Sequence, residues 1–489
     1  MKIRSKTLLI TSQIIDVAKS LASFAKPGFL SIILFISVSA RSQDSPIETA
    51  DKAVTNMRLG WNLGNTLDAN SGDVDNMWIE RWSSRTPADY EKSWGQVPTT
   101  QALIDMMRDA GINAIRVPVT WYPHMVKTWA WVDGSTKWDQ TKAPIEKYMN
   151  EAWMRRVKQT VDYIINAGMY CVLNVHHDTG AANTAWIRAS MDNYQRNREL
   201  YEWLWTRIAE EFKNYGDHLI FEGYNEMLDE KSSWCFASFS YDGNYNASAA
   251  SDSYDAINHY AQTFVDAVRA TGGNNATRNL MVNTYGACNG DGNWSTHLAE
   301  PLTNMKLPED STDGHIILQV HYYPSFSTLS EGKGSTNSLC RVLKSKLASK
   351  GAPVVVGEWG AADDSKVSYV KNSEVFLQWA RYFVEHAKQN GIGTFLWMGL
   401  SDGEARSVPQ FSQPDLLEAI VKGYYGEEGY SSSIGSPQIC SQSDGAVYSL
   451  SGQQIKPSAH QPGIYIQNGS KGRKVMLKKK VVSDLRMSK

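Results

Sequence analysis

Beyond residues 1–40, no stretch of this 489-residue chain is apolar over the ~20 residues that a membrane-spanning helix needs. Neither sign of charge is in excess: 49 Lys and Arg face 51 Asp and Glu, a formal net charge of -2. Attraction to nucleic acid or to an anionic membrane requires a clustered basic surplus, so both partners are excluded. Cysteine is scarce and odd in number, five in all, and no C-x-x-C spacing occurs. Length rules out a small disulfide-stapled fold, and the spacing rules out a zinc ribbon. Cys171 sits in an apolar run and reads as packing. Cys235 and Cys288 fall in loops after neighbouring strand-like runs, an arrangement compatible with a bridge between them. No G-x-G-x-x-G follows the first strand-like run, which counts against a doubly wound nucleotide-binding sheet, the second choice of fold.

What the chain does have is aromatic surface, with 17 Trp and 23 Tyr. Indole and phenol rings have broad apolar faces that fill a large core or stack on sugar rings, and the excess favours a carbohydrate ligand. The N-terminus carries Lys2, Arg4, Lys6, Lys19 and Lys26, then an apolar run from Phe29 to Val38, then Ser39 and Ala40. That is the pattern of a secretory signal peptide over 1–40, with the mature protein starting near Arg41. The expected location is extracellular, periplasmic or at the cell surface.

From there a short apolar run, a polar loop and an amphipathic helix recur. The strand-like runs are Leu59–Leu63, Ile112–Val117, Tyr170–Val175, Leu219–Tyr224, Leu280–Thr284, Ile316–His321, Val354–Gly357 and Thr394–Met398. Helical patterns between them include Thr100–Ala110, Glu151–Ala167, Glu202–Tyr215, Tyr254–Ala270, Ser338–Ser349 and Ser373–Asn390. Short continuous apolar runs alternating with helices indicate parallel strands covered on both faces. Eight such units predict an α/β fold, a (β/α)8 TIM barrel with enlarged loops over 45–428. A Ser- and Gly-rich linker is expected over 429–443, then a small β-rich segment over 444–489.

Strand ends of such a barrel converge on one mouth. Standing there are Arg116, His176, His177 and Asp178, Asn225 and Glu226, His321 and Tyr323, Glu358, and Trp397. Two carboxyls facing each other suit glycosidic cleavage, one protonated to help the leaving oxygen depart and one ionised to attack. Arg116 and Tyr323 are expected to keep Glu358 ionised, while the charge of Glu358 favours a protonated Glu226. Asn225 suits the hydroxyl next to the reacting carbon, and Trp397 the floor beneath that ring. His176, His177 and Asp178 would also serve as ligands of a metal-dependent barrel hydrolase, a competing reading.

The strings GWNLGNTLDA (60–69), NAIRVPVTW (113–121), VLNVHHD (172–178), FEGYNEM (221–227), VHYYPSF (320–326), VVVGEWGA (354–361) and FLWMG (395–399) resemble glycoside hydrolase family 5 cellulases, in order from about residue 50 to 425. The resemblance implies a retaining endo-β-1,4-glucanase with Glu226 as acid/base, Glu358 as nucleophile and Arg116, His176, Asn225, His321, Tyr323 and Trp397 in support. It further implies that Asn65, Asp68 and His177 contact the neighbouring sugar. The expected partner is a β-glucan polysaccharide, with no metal, no cofactor and a monomeric chain. Xyloglucan, mixed-linkage glucan and mannan are the alternative substrates, and a barrel that binds carbohydrate without cutting it is the alternative function. Met227 departs from the family, where many members have Pro, and the segments 129–138 and 232–253 lack a clear counterpart. The tail 447–479 resembles C-terminal segments of secreted Bacteroidetes proteins, some of which serve as sorting signals.

Overall fold

The computed structural model describes residues 47–240, 243–360 and 373–433, with four short strands between Val447 and Lys478. The expected signal peptide over 1–40 lies outside the described residues. Eight parallel strands close into a barrel in chain order. They are β1 Leu59–Asn62, β2 Ala114–Val117, β3 Tyr170–Asn174, β4 Leu219–Glu222, β5 Leu280–Asn283, β6 Ile316–Tyr322, β7 Val354–Trp359 and β8 Gly393–Trp397. Because β1 pairs with both β2 and β8, no edge is left unpaired. Each expected strand-like run is one of these strands.

Alternation along the strands sorts the interior into two layers. The first is hydrocarbon: Ala114, Val172, Ile220, Met281, Ile317, Val355 and Phe395, packed with Ala50, Ala53, Val54 and Met57 of the helix Ala50–Met57. Two residues further along the strands, the same face carries Asn62, Arg116, Asn174, Glu222, Asn283 and Gln319, all buried. The larger apolar core lies between the strands and the surrounding helices, and includes Trp153, Trp205, Trp359 and Trp379. Much of the aromatic excess is therefore packing. Trp121 and Trp138, though carried by mouth-side loops, are buried as well, whereas Trp78, Trp82, Trp234 and Trp294 are exposed.

Three helices begin earlier than their apolar periodicity suggests: Met191–Glu211, Ala247–Ala270 and Leu329–Lys346. Their first turns carry few large apolar side chains, and a side-chain cap marks each start. Ser190 accepts from Asn193 N, Asn246 accepts from Ala249 N, and Thr328 forms a capping box with Glu331. The last helix, Pro414–Ser433, breaks at Gly426 and runs into the stretch read as a linker. Beyond it, β9 Val447–Tyr448, β10 Gln454–Ile455, β11 Gly463–Gly469 and β12 Gly472–Lys478 form an antiparallel sheet of order β10-β9-β11-β12. Cys171 is buried packing, and Cys235 and Cys288 are free thiols rather than a bridge. Among the described residues, no helix is long and apolar enough to cross a membrane.

One irregularity in the barrel governs the site. Val320 pairs with Val356, but His321 pairs with Glu358, so β7 carries an extra residue, Gly357. Regular alternation would turn Glu358 outward; the bulge turns it into the mouth beside His321. A Cβ at Gly357 would lie 2.0 Å from Gln319 Oε1, so no larger residue fits there. Gly357→Ala must displace Gln319, whose Nε2 donates to Asn283 Oδ1 at 2.7 Å. The expected loss is ~1–3 kcal/mol in denaturant unfolding, together with reduced activity; an unchanged midpoint would show that the bulge does not need glycine.

Candidate active site

Arg116 occupies the centre of the polar layer, and every one of its N–H groups has an acceptor. Nε and Nη2 donate to Glu222 at 2.6 and 2.7 Å, and Nη1 donates to Glu358 Oε1 at 2.7 Å. The remaining two go to Asn62 Oδ1 at 2.9 Å and Asn225 Oδ1 at 2.8 Å. Glu222 also accepts from the amides of Asn174 and Asn283, each at 3.2 Å. Burial works against its charge, but the Arg116 guanidinium outweighs burial and holds this carboxyl below its ordinary range.

Two carboxyl groups rise from this platform. Glu358, six per cent exposed, takes Arg116 on one oxygen and the Tyr323 hydroxyl on the other, at 2.8 Å. Glu226 is 23% exposed at the mouth, and its close partner is His321 Nδ1 at 2.7 Å. Burial drives the His321 ring down to about 4, so it is neutral at neutral pH. An oxygen of Glu226 and an oxygen of Glu358 lie within 4.8 Å of each other. Burial raises both carboxyls. That of Glu226 reaches about 7, with Arg116 opposing and the charge of Glu222 adding to the rise. Glu358 is also raised, by burial and by the charge of Glu226, while Arg116 and the Tyr323 hydrogen bond oppose the rise. Glu222 thus adds a second negative charge beside Glu226, on top of the mutual repulsion between Glu226 and Glu358 that the sequence led one to expect.

His176 faces amide nitrogens of Asn174 at 3.0 Å and Asn225 at 3.4 Å. Burial and nearby positive groups keep its ring neutral. It lies parallel to Trp397, with ring centroids 5.8 Å apart. Trp397 in turn lies over Gly64, where a Cβ would come within 2.9 Å of the indole. Asn65, Asp68 and His177 adjoin this group as a separate set. Asp68 is wholly buried: it accepts from Asn65 N at 3.1 Å and Thr66 N at 2.7 Å, holding Asn65 at φ 58. Its carboxylate faces His177 Nε2 at 3.9 Å, so it supports the loop and His177 rather than offering surface to a ligand. Asp178 does not join the two histidines; it accepts from Trp121 N, Tyr122 N and Trp186 Nε1 at 2.7 to 2.8 Å. That partner set removes it from the competing metal-ligand triad. Met227 is buried, and its carbonyl accepts from Gly286 N at 3.0 Å, tying the loop after β4 to the loop after β5.

A family model for cellulases, glycosyl hydrolase family 5, matches residues 75–402. The chain belongs to glycoside hydrolase family 5. It is 32% identical to an Endoglucanase B of Neocallimastix patriciarum over 77% of this chain and 72% of that protein. A solved broad-specificity GH5-4 endoglucanase from an uncultured bacterium is 48% identical, with a TM-score of 0.70, covering 78% of this chain and 96% of that one. A family 5 enzyme from Prevotella bryantii B14, solved as a variant in complex with a xyloglucan tetradecasaccharide, is 39% identical with a TM-score of 0.65, covering 77% and 99%.

The residues missed in the sequence are those below the mouth: Asn62, Asn174, Glu222, Asn283 and Gln319. Each is a polar residue inside an otherwise apolar, fully buried strand, and that contrast is the signal that marks them. Glu222→Gln tests the field they create. Without its charge, the pull of Arg116 on Glu226 is opposed less strongly, so the alkaline limb of the kcat/KM profile should move below about 7. Activity lost with the limb unmoved would mean that Glu222 only props up the fold.

Proposed function

We propose that this protein is an endo-acting, retaining β-glucanase that cuts β-1,4-glucosidic bonds within cellulose or related β-glucans, with Glu358 as nucleophile and Glu226 as acid/base. The observation that carries the reading is the close approach of the two carboxyl groups, with one oxygen of each within 4.8 Å of the other. Retaining glycosidases hold the pair about 5–5.5 Å apart, whereas inverting ones leave about 6.5–9.5 Å for a water. The contrast in close partners supports these roles: Glu358 takes a cation and a hydroxyl, and Glu226 takes a neutral imidazole.

In the first step a Glu358 oxygen bonds to the anomeric carbon as the bond to the departing sugar oxygen breaks, and that oxygen takes the Glu226 proton. The sugar is then held as an ester of Glu358. In the second step Glu226 removes a proton from water, whose oxygen attacks the same carbon, and the ester bond breaks. Two inversions retain the configuration, and both carboxyls return to their starting forms. Asn225 holds the hydroxyl beside the reacting carbon, with Arg116 fixing its amide, and Trp397 is the floor under the ring.

The names of the relatives support an endoglucanase, and the xyloglucan complex of the Prevotella bryantii enzyme supports a substrate range that extends to substituted chains. The proposal includes export, on the basic N-terminus and the Phe29–Val38 run, because an intact polysaccharide does not enter a cell. It also includes action as a monomer, without metal or cofactor. A panel of carboxymethyl cellulose, lichenan, xyloglucan and mannan ranks the substrates.

Glu358→Ala should abolish turnover while the fold and polysaccharide binding persist, and added azide should restore cleavage with inverted product. Substantial activity without azide would mean a different nucleophile. Glu226→Ala should slow poor leaving groups far more than activated aryl glycosides. In the unaltered enzyme the proton of Glu226 is required, so kcat/KM should fall as pH rises through about 7.

A further inference from the structure

Trp82 is the most exposed of the large hydrophobic side chains among the described residues, at 71%, and Trp78 in the same short helix is 40% exposed. A lone exposed indole needs no explanation. These two belong to an ordered assembly. Arg81 stacks its guanidinium on Trp82 at 5.1 Å and on Trp131 at 5.4 Å. Trp131 lies nearly parallel to Trp129, centroids 5.5 Å apart and 8° between planes.

The assembly is rooted in the site. Trp94 meets His177 at 5.4 Å and donates to the Asn70 carbonyl, while the side chain of Asn70 accepts from Tyr122. Tyr122 stacks on Trp138 at 6.0 Å, and Trp138 meets Trp129 at 5.0 Å. Contacts thus connect His177 to Trp82 through Trp94, Asn70, the buried rings of Tyr122 and Trp138, then Trp129, Trp131 and Arg81. The segment 129–138, which lacks a clear family counterpart, forms the outer half of this path, bridged Trp131 to Trp138. It is clipped to the loop after β1 by Met77 N to Thr136 O at 3.0 Å and Trp138 N to Val74 O at 2.8 Å. Met77, Tyr122, Val126, Trp138 and Ala143 form a separate buried cluster beneath it. These loops follow β1 and β2, so they stand at the barrel mouth.

We infer that Trp82, Arg81 and Trp131 form a sugar-binding platform that holds a β-glucan chain beyond the sugar next to Asn65 and His177. A β-linked glucan presents flat C–H faces with hydroxyls at its edge. The exposed indole of Trp82 matches such a face, and the Arg81 guanidinium, backed by Trp131 and Trp129, offers N–H donors to the edge. The platform continues the proposed cleft, so the inference rests on the β-glucanase reading.

The test uses the full chain carrying Glu358→Gln, which binds without turnover, in affinity electrophoresis through hydroxyethyl cellulose. Adding Trp82→Ala should weaken retention about three- to tenfold, and Trp82→Phe should recover part of it. In the active enzyme, Trp82→Ala should raise KM on the polymer by a similar factor and leave kcat/KM on an aryl β-cellobioside unchanged. Unchanged retention would overturn the platform. An equal loss on the short substrate would also overturn it, because the loop would then be shaping the reacting centre. If the unaltered enzyme cuts neither substrate, the catalytic reading fails, while the binding comparison still judges the platform.

Discussion

Burying a guanidinium costs several kcal/mol unless its charge is compensated and its donors are all satisfied. Arg116, with no exposed surface, meets both conditions through two carboxylates and two amides. Saturation leaves it one orientation. Asn225 is fixed because its carbonyl oxygen is an Arg116 acceptor, and Glu358 because Arg116 and Tyr323 hold separate oxygens. Glu222 gives the guanidinium a permanent counter-ion, so Glu358 can change its bonding without leaving the buried cation unpaired. The amides of Asn62, Asn174 and Asn283 fill the remaining positions of the layer.

The barrel serves this arrangement by dividing its interior. Hydrocarbon at one level gives cohesion, and a polar level above it supplies a rigid, water-poor setting in which small differences of partner separate two identical carboxyl groups. Glu226 and Glu358 are chemically the same side chain a few ångströms apart. One lies beside a cation and a phenol, the other beside a neutral imidazole at the more open edge. The bulge at Gly357 completes the device, since without it β7 would aim Glu358 away from the mouth.

Most of this was legible in the sequence where it rests on alternation or on strand-end position. All eight strands followed from short apolar runs, and the residues after them converge as strand geometry requires. The polar layer was less legible. Glu222 lies only four positions before Glu226, yet it reads as part of an apolar run until its strand neighbours are known, because its partner Arg116 comes from a different strand. The contribution of Glu222 to the field on Glu226 was missed for the same reason. Helix starts at Ser190, Asn246 and Thr328 were lost because periodicity is read from large apolar side chains, and the first turns of these helices meet the core with small or polar residues such as Asn193, Ala250 and Gly332. Asp68 shows a further limit: the family resemblance implied a ligand contact, and only burial reveals that it holds the Asn65 loop instead.

In the proposed mechanism Glu358, placed by Arg116 and the β7 bulge, forms a bond to the substrate. Incubating the enzyme with a 2-deoxy-2-fluoro-β-cellobioside bearing an activated leaving group should slow the second step enough to trap that ester. Mass spectrometry of the digested protein should then find one added fluorocellobiosyl group on the peptide containing Glu358, and on that residue. A label on Glu226 or another carboxylate would contradict the account, as would an unlabelled enzyme that releases product of inverted configuration.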